Sequence, residues 1–458
     1  MIVRHMKNAF SFKIILLGLT GWFLAQKTTA QTTMLPRATY DSLLTQAKRN
    51  GKPIVLFVKK SESTVSHNLQ LSQRTKRMLE EQFVSGTVEL DRDDFNHPLH
   101  KTYTFPTSAY LFTDSAGFPL LRYNQPIQEE ETLVRLIDSA NRIAKGETMG
   151  KLMQQYKKGI HSQSLLRNLL EQYPAFDAYT DQQVLNDYLS QLTVQELNNF
   201  ETVVFLLRCG PVYNSKTYQL ARINNTMVDS LYTTLPLPTR REINRRIIRQ
   251  TFREALDKHD YSMALNLGYF LRRTWHRHYL RSQMAQTYYP MEYQRLHRDT
   301  TAYLQTARDY YNRFYAQVEP DSLAKWDFAI QRRIDTLQPR LTFDPAHQLA
   351  FQQWLKKRQK RYLTQHAYAL SFGARQLLDF GKNNPDALFD AIRWQQQAIV
   401  LDPGKGQFHH TLAQLLYHVG FYAEAEAQQR QAMRLYKSDK PRYLEMRDAL
   451  KQLQAHSW

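Results

Sequence analysis

The chain of 458 residues contains 42% hydrophobic and 12% aromatic residues, which suffices for the packed cores of about two to four domains. Its formal net charge of +19 favours an acidic partner or an anionic surface. Cys209 is the single cysteine of the sequence, which excludes an intramolecular disulfide and any chemistry that needs two thiols.

The first thirty residues have the pattern of a secretory signal peptide. Arg4, Lys7 and Lys13 supply the positive start, and residues 14–25 form an apolar run that is too short to span a membrane. Small residues before Gln31 predict cleavage there. We therefore expect export to the periplasm or cell envelope of a Gram-negative-type bacterium, or into the medium. No cysteine follows the apolar run, which excludes a lipoprotein anchor, and no later segment predicts a transmembrane helix.

Residues 31–145 are predicted to form an α/β domain with the element order α, β, α, β, β, β, α. The first strand is an almost unbroken run of β-branched and aromatic residues, as expected of a buried central strand. The predicted elements are a helix at residues 38–51, a strand at 53–58, a helix at 64–83, strands at 84–90, 108–113 and 118–123, and a helix at 129–144.

This element order is accompanied by a polar loop at residues 61–66, a Tyr-Thr-Phe-Pro-Thr segment at 103–107 and a turn at 114–117. Together they resemble the thioredoxin-like domain of secreted bacterial proteins of the thioredoxin superfamily. The resemblance implies that Ser63 and Ser66 stand where that family has its redox cysteines. A serine hydroxyl cannot pass through a mixed disulfide, so the resemblance implies a redox-inactive loop.

The resemblance also implies a groove for extended polypeptide, formed here by Phe105, Pro106 and Thr107. In the family, a cis proline shapes this groove, so we expect Pro106 to be cis, with an ordinary trans proline as the alternative. Leu56 lies near the place where the family often has a buried carboxylate for proton transfer. The resemblance therefore implies a groove kept for binding, or kept because the fold needs it.

Beyond Gly146 the sequence predicts amphipathic helices and almost no strands, and residues 146–365 are expected to form a helical scaffold domain. Turns with proline, glycine or aspartate are predicted to separate these helices. The predicted turns are at Gly159, 173–174, 210–211, 236–238, Pro290, Pro320, Pro339, Pro345, 384–385 and 402–404.

Residues 366–440 are predicted to contain two helical repeats that resemble tetratricopeptide repeats. Small and large apolar residues recur at the spacing of such helix pairs in Leu412, Ala413, Leu416, Gly420, Tyr422, Ala425, Ala432 and Leu435. The preceding unit has a matching end at Ala391, Ala398, Leu401 and Pro403. A final helix is expected at residues 441–458. The predicted fold class is therefore α+β and mostly α, with a thioredoxin-like α/β domain followed by a helical-repeat scaffold.

Two surfaces stand out in the helical part. Residues 240–249 are rich in arginine, and Ile243 and Ile247 predict a core stripe that leaves the arginines on an outer face. This face is expected to be either solvated or a docking surface for an acidic protein or envelope component. The aromatic segment at residues 261–315 predicts an interaction surface that includes Trp275, Arg277, Tyr279 and Tyr293, with packing between helices as the alternative for most of its aromatic residues.

Neither metal nor cofactor binding is predicted. His276, His278 and His297 invite a metal interpretation, but helix positions two apart do not share a face, and no acidic residue completes the set.

The sequence therefore predicts an exported, non-catalytic protein-interaction or scaffold module of the cell envelope. The expected partner is a protein or peptide, with a bias towards acidic ones, and not nucleic acid. The alternatives are an enzyme or enzyme accessory in envelope thiol and protein quality control, either a thiol-independent oxidoreductase accessory or a hydrolase that uses hydroxyls of residues 61–66, and a holdase-like chaperone. The sequence leaves the oligomeric state open.

Overall fold

The computed structural model describes residues 35–60, 71–275, 278–337 and 361–458. The described residues form two compact units, which divide after Gln250. The described residues are mostly helical with one small sheet, which confirms an α+β fold class dominated by helix. The predicted signal peptide lies outside the described residues.

The first unit contains the sheet. Its strands are β1 Ile54–Lys60, β2 Val84–Leu90, β3 Ala109–Thr113 and β4 Pro119–Tyr123. They lie in the order β2-β1-β3-β4, with β1 parallel to β2 and antiparallel to β3, and β3 antiparallel to β4. The first residues of β1, from Ile54 to Val58, are buried, because β1 is central and covered on both faces.

Helices cover both faces of the sheet. On one face, Leu79, Leu133 and Ile137 pack into a core with Val55 and Phe57 of β1. On the other face, the first helix approaches β2 closely. A Cβ on Gly86 would lie 2.9 Å from the Cδ2 atom of Leu43, so glycine permits this approach. The helices are α1 Tyr40–Asn50, α2 Gln73–Gln82, α3 Pro98–Thr102 and α4 Glu130–Lys145.

Short helices follow the sheet up to the end of the first unit. They are α5 Met149–Lys157, α6 Gln163–Ala175, α7 Gln182–Ser190, α8 Val194–Leu197, α9 Phe200–Arg208, α10 Lys216–Ala221 and α11 Asn225–Thr234, followed by α12 Leu237–Asp257. Most begin at a side-chain cap, such as Ser162 before α6 and Ser215 before α10. These caps stabilise the starts of the short helices.

The second unit consists of helices in the part of the chain that the structure describes. They are α13 Tyr261–Thr274, α14 Tyr279–Leu296, α15 Thr300–Tyr311, a π-helical turn at Asn312–Ala316, α16 Pro320–Leu337, α17 Arg361–Gly381, α18 Pro385–Leu401, α19 Gly406–His418, α20 Tyr422–Leu435 and α21 Lys440–Gln454.

The predicted turn at Pro290 is wrong, because α14 runs through it from Tyr279 to Leu296. Proline costs a helix one hydrogen bond and a steric clash, but buried packing can hold the helix together. Residues from Pro290 to Arg295 are all buried, so tertiary contacts outweigh the local penalty. The turn predicted at Gly159 does separate α5 from α6, with the glycine in the left-handed region at φ +87°.

Two successive helix pairs in the second unit show a spacing of 34 residues. Ala391 of α18 and Ala425 of α20 are both fully buried, and so are Ala398 and Ala432 at the same offset. Alanine lets paired helices approach closely, which is why it recurs at these positions. Among the described helices of the whole chain, none combines the length and apolar character needed to cross a membrane.

Candidate functional site

The predicted groove lies beside the end of β1. The backbone N–H of Lys60 donates a hydrogen bond to the Ser108 hydroxyl at 3.2 Å, so the strand that leads into residues 61–66 ends next to the proline segment. Ser63 and Ser66 themselves lie outside the described residues, and their predicted role stays a prediction.

Phe105 of the predicted groove is buried, whereas Pro106 and Thr107 are exposed. The described residues contain no cis peptide bond, so the expectation of a cis Pro106 is wrong. The residues just before Pro106 are held by contacts to another part of the chain. These contacts pair the backbone on the N-terminal side of Phe105.

The contacting segment comes from the turn between α6 and α7. Tyr103 pairs with Ala178 in an antiparallel bridge. The N–H of Thr104 donates to the carbonyl of Asp177, and the N–H of Tyr179 donates to the carbonyl of Thr102, each at 2.9 Å. The backbone edge before Pro106 is therefore already paired within the first unit, which leaves Pro106 and Thr107 as the open part of the predicted groove.

Arg122 joins these two segments. Its guanidinium donates to the Thr104 carbonyl at 2.7 Å and to the Phe176 carbonyl at 2.8 Å, and its carbon Cζ lies 4.8 Å from the centre of the Phe105 ring. The Asp177 carboxylate lies 3.8 Å away. Burial of this side chain lowers the pKa of Arg122 from its usual value, and the Asp177 charge opposes that shift.

Three arginines of α12 lie near the same place, and we call them, together with Arg122, the basic seam: Arg122, Arg245, Arg246 and Arg249. Arg249 donates to the Thr104 hydroxyl at 3.1 Å. Arg246 donates to the Ala178 carbonyl at 3.1 Å and to the Thr180 hydroxyl at 3.2 Å. The seam therefore lines the contact between the segment before Pro106 and the segment around Asp177.

The prediction that these arginines lie on an outer face is wrong for Arg246, which is 8% exposed. The reason is that the buried face of α12 extends beyond Ile243 and Ile247 to include Arg246. The segment around Asp177 covers Arg246, whose guanidinium donates to carbonyl and hydroxyl oxygens of that segment. Burial lowers the pKa of Arg246, and the neighbouring arginines 245 and 249 lower it further. Arg245 keeps 48% of its side chain exposed.

The seam carries more positive than negative charge. In the described residues, the carboxylates placed against it are Asp177, near Arg122, and Glu242, paired with Arg245. The Nε atom of Arg246 is buried without a hydrogen-bond partner. A buried charge is costly unless it is paired, so this arrangement favours an anionic group next to the seam.

Cys209 is fully buried at the end of α9. Burial raises the pKa of its thiol to about 12. A thiol that is neither ionised nor accessible cannot attack a disulfide.

The predicted aromatic surface of the second unit is divided. Tyr279 is 71% exposed and Trp275 is partly exposed, with the Arg281 guanidinium 5.5 Å from the Trp275 ring. Tyr293 was predicted on this surface and is buried, because its ring packs against His297 and Tyr261. Arg277 lies outside the described residues.

No group of three or more histidine, cysteine, aspartate or glutamate side chains is placed to hold a metal ion in the described part of the chain. His297 does contact a second histidine, but this partner is His259 and not one of the histidines at 276 and 278. The Nε2 atom of His297 lies 3.0 Å from the Nδ1 atom of His259.

Comparison of the sequence with models of known protein families gave no match, and comparison with curated proteins gave none either.

Proposed function

We propose that this protein is a non-catalytic interaction protein that binds an acidic polypeptide segment along the basic seam, beside Pro106 and Thr107. It is built on a thioredoxin-like domain followed by tetratricopeptide-like helix pairs. It acts in the cell envelope after export, as the apolar segment at residues 14–25 indicates.

The thioredoxin-like assignment is supported by the sheet order β2-β1-β3-β4, with only β1 and β2 parallel, and by helices on both faces. The repeat assignment is supported by the 34-residue spacing of buried alanines at 391 and 425. A fold alone does not define a function. The function must rest on the site.

A binding role rather than a catalytic one is supported by the state of the thiol. Cys209 is buried and its pKa is raised to about 12, so the single thiol of the chain is not a nucleophile for thiol–disulfide exchange. The seam arginines cannot act as proton donors or acceptors near neutral pH, since a guanidinium stays protonated even when burial lowers its pKa.

The observation that carries the proposal is the excess of guanidinium over carboxylate at one place. Arg245 and Arg249 lie four positions apart on α12, so they are neighbours on one helix face. Arg249 reaches the Thr104 hydroxyl, two residues from exposed Pro106. An extended chain with acidic side chains would meet both arginines while passing Pro106, and guanidinium groups match carboxylates in geometry.

Fluorescence anisotropy with a labelled Glu-rich peptide tests the proposal, with the Gln-substituted peptide as its uncharged control. We expect the double variant Arg245→Glu, Arg249→Glu to bind the acidic peptide at least about tenfold more weakly. Arg241→Glu is the matched control, because Arg241 is an exposed arginine of the same helix. Equal binding of the two peptides, or unchanged affinity in the double variant, would refute the proposal. Circular dichroism confirms that each variant is folded.

A further inference from the structure

The turns at one end of the α13–α14 helix pair bring two histidines together. His259 lies between the end of α12 and the start of α13, and His297 directly follows α14. The Nε2 atom of His297 and the Nδ1 atom of His259 are 3.0 Å apart. Neither residue belongs to the basic seam.

The protonation of His297 follows from its second contact. Its Nδ1 atom lies 3.2 Å from the Tyr293 carbonyl oxygen, which can only accept a hydrogen bond. Nδ1 therefore carries the proton, and Nε2 presents a lone pair towards His259. A histidine that donates one ring N–H to a backbone carbonyl while its other nitrogen stays basic has the arrangement typical of a metal ligand.

The His297 imidazole is held in place by its surroundings. The His297 ring stacks on buried Tyr293 with centroids 4.0 Å apart. His259 has φ 53°, in the left-handed region, and the next residue, Asp260, caps α13 by accepting from the N–H groups of Ser262 and Met263. The His297 ring would therefore lose little freedom on binding a metal ion.

We propose that His259 and His297 form a binding site for a divalent first-row transition metal, with Cu²⁺ bound most tightly. Imidazole suits Cu²⁺, Zn²⁺ and Ni²⁺, and Cu²⁺ leads the affinity order for a given set of ligands. Two nitrogens about 3.0 Å apart match two metal–nitrogen bonds of about 2.0–2.1 Å that meet at close to a right angle.

Binding needs no net loss of a proton. In the free pair, the Nδ1–H of His259 donates to the Nε2 lone pair of His297, because Nε2 is the acceptor. On binding, His259 takes its Nε2–H tautomer and its Nδ1 lone pair turns to the metal. The described residues place no third protein ligand here, so water or a donor from another molecule completes the coordination.

Electron paramagnetic resonance of the purified full chain without an affinity tag, with substoichiometric Cu²⁺, tests the site. We expect splitting from imidazole nitrogens in the chain and its loss in His259→Ala and in His297→Ala. We also expect isothermal titration to show an affinity at least about tenfold lower in each variant. His161→Ala is the matched control, because His161 likewise stacks on a tyrosine, Tyr156, with centroids 4.6 Å apart.

Retention of the wild-type spectrum by both His259→Ala and His297→Ala would overturn the proposal. So would the absence of Cu²⁺ binding by the folded chain, or an equal loss in His161→Ala. His259 is exposed, so its variant is expected to fold even if His297→Ala does not. Because the pair shares no residue with the basic seam, failure here leaves the peptide proposal untouched.

Discussion

Gln395 and Gln429 make the same buried contact in successive helix pairs. The side-chain amide of Gln395 donates to the Phe408 carbonyl at 2.8 Å, and that of Gln429 donates to the Met446 carbonyl at 2.7 Å. Both glutamines are fully buried and lie 34 positions apart. Each links the second helix of a pair to the next helix along the chain, so the contact repeats together with the fold.

Gln429→Ala is expected to lower the free energy of unfolding by about 1–3 kcal/mol, because the buried Met446 carbonyl loses its donor and His410 loses the acceptor on Gln429. Urea denaturation followed by circular dichroism measures the change. Gln452→Ala is the control, since Gln452 is an exposed glutamine of the adjoining helix α21 and its loss should change stability by less than about 0.5 kcal/mol. Equal stability of the two variants would show that the contact contributes nothing.

Gly268→Ala is expected to destabilise the α13–α14 pair by about 1–3 kcal/mol through overpacking. The added Cβ would lie 2.3 Å from the backbone carbonyl oxygen of Gln286, which cannot move without shifting the helix. Gly404→Ala has no atom within 4 Å of the new Cβ and serves as the control in thermal denaturation. Equal melting temperatures of Gly268→Ala and Gly404→Ala would contradict the close approach of α13 and α14 at Gly268.

The free energy of unfolding should fall as the pH decreases below about 6.5. Burial lowers the pKa of His410 in the folded chain. As the pH falls, this histidine therefore becomes protonated in the unfolded chain before it does so in the folded chain. A histidine whose pKa is lower in the folded chain than in the unfolded chain reduces the free energy of unfolding at pH values below the unfolded pKa. Above that pH it has no effect.

Urea denaturation between pH 5.5 and 7.5 measures this dependence, and His410→Gln should make it shallower. Burial also lowers the pKa values of His366 and His418, so part of the dependence should remain in the variant. An identical slope in the wild type and in His410→Gln would contradict the assignment to His410.

Cys209 should resist alkylation in the native chain. Iodoacetamide at pH 8 is expected to label the thiol only after denaturant is added, because the group is fully buried and burial raises its pKa to about 12. Mass spectrometry of protein quenched over time gives the labelling rate with and without denaturant. Rapid native labelling would show an accessible thiol and reopen thiol chemistry.

Local sequence signals predicted much of the sheet. Strand β2 was predicted at residues 84–90, which agrees with Val84–Leu90, because alternation and flanking helices mark its ends. The repeat spacing was likewise readable from Ala391 and Ala425. The short helix α3 was missed, since five residues from Pro98 to Thr102 carry too little periodicity to predict a helix.

The candidate sites depend on contacts between distant parts of the chain, which no local pattern encodes. Arg122 and Arg249 both reach Thr104, and the turn at Asp177 pairs with the same segment, although the three parts are far apart in the sequence. His259 and His297 belong to different interhelix turns, so neither has a local motif. Sequence periodicity predicts which face of a helix is buried. It does not predict which distant residues that face contacts, because such contacts depend on the tertiary structure.

Hydrogen–deuterium exchange of the purified chain, with and without the Glu-rich peptide, shows directly whether the peptide binds along the basic seam. We predict slower exchange at residues 102–107, 176–180 and 240–249 in the presence of the peptide, and no change with the Gln-substituted peptide. Protection confined to residues 361–454, or no protection at all at saturating peptide, would contradict binding along the basic seam.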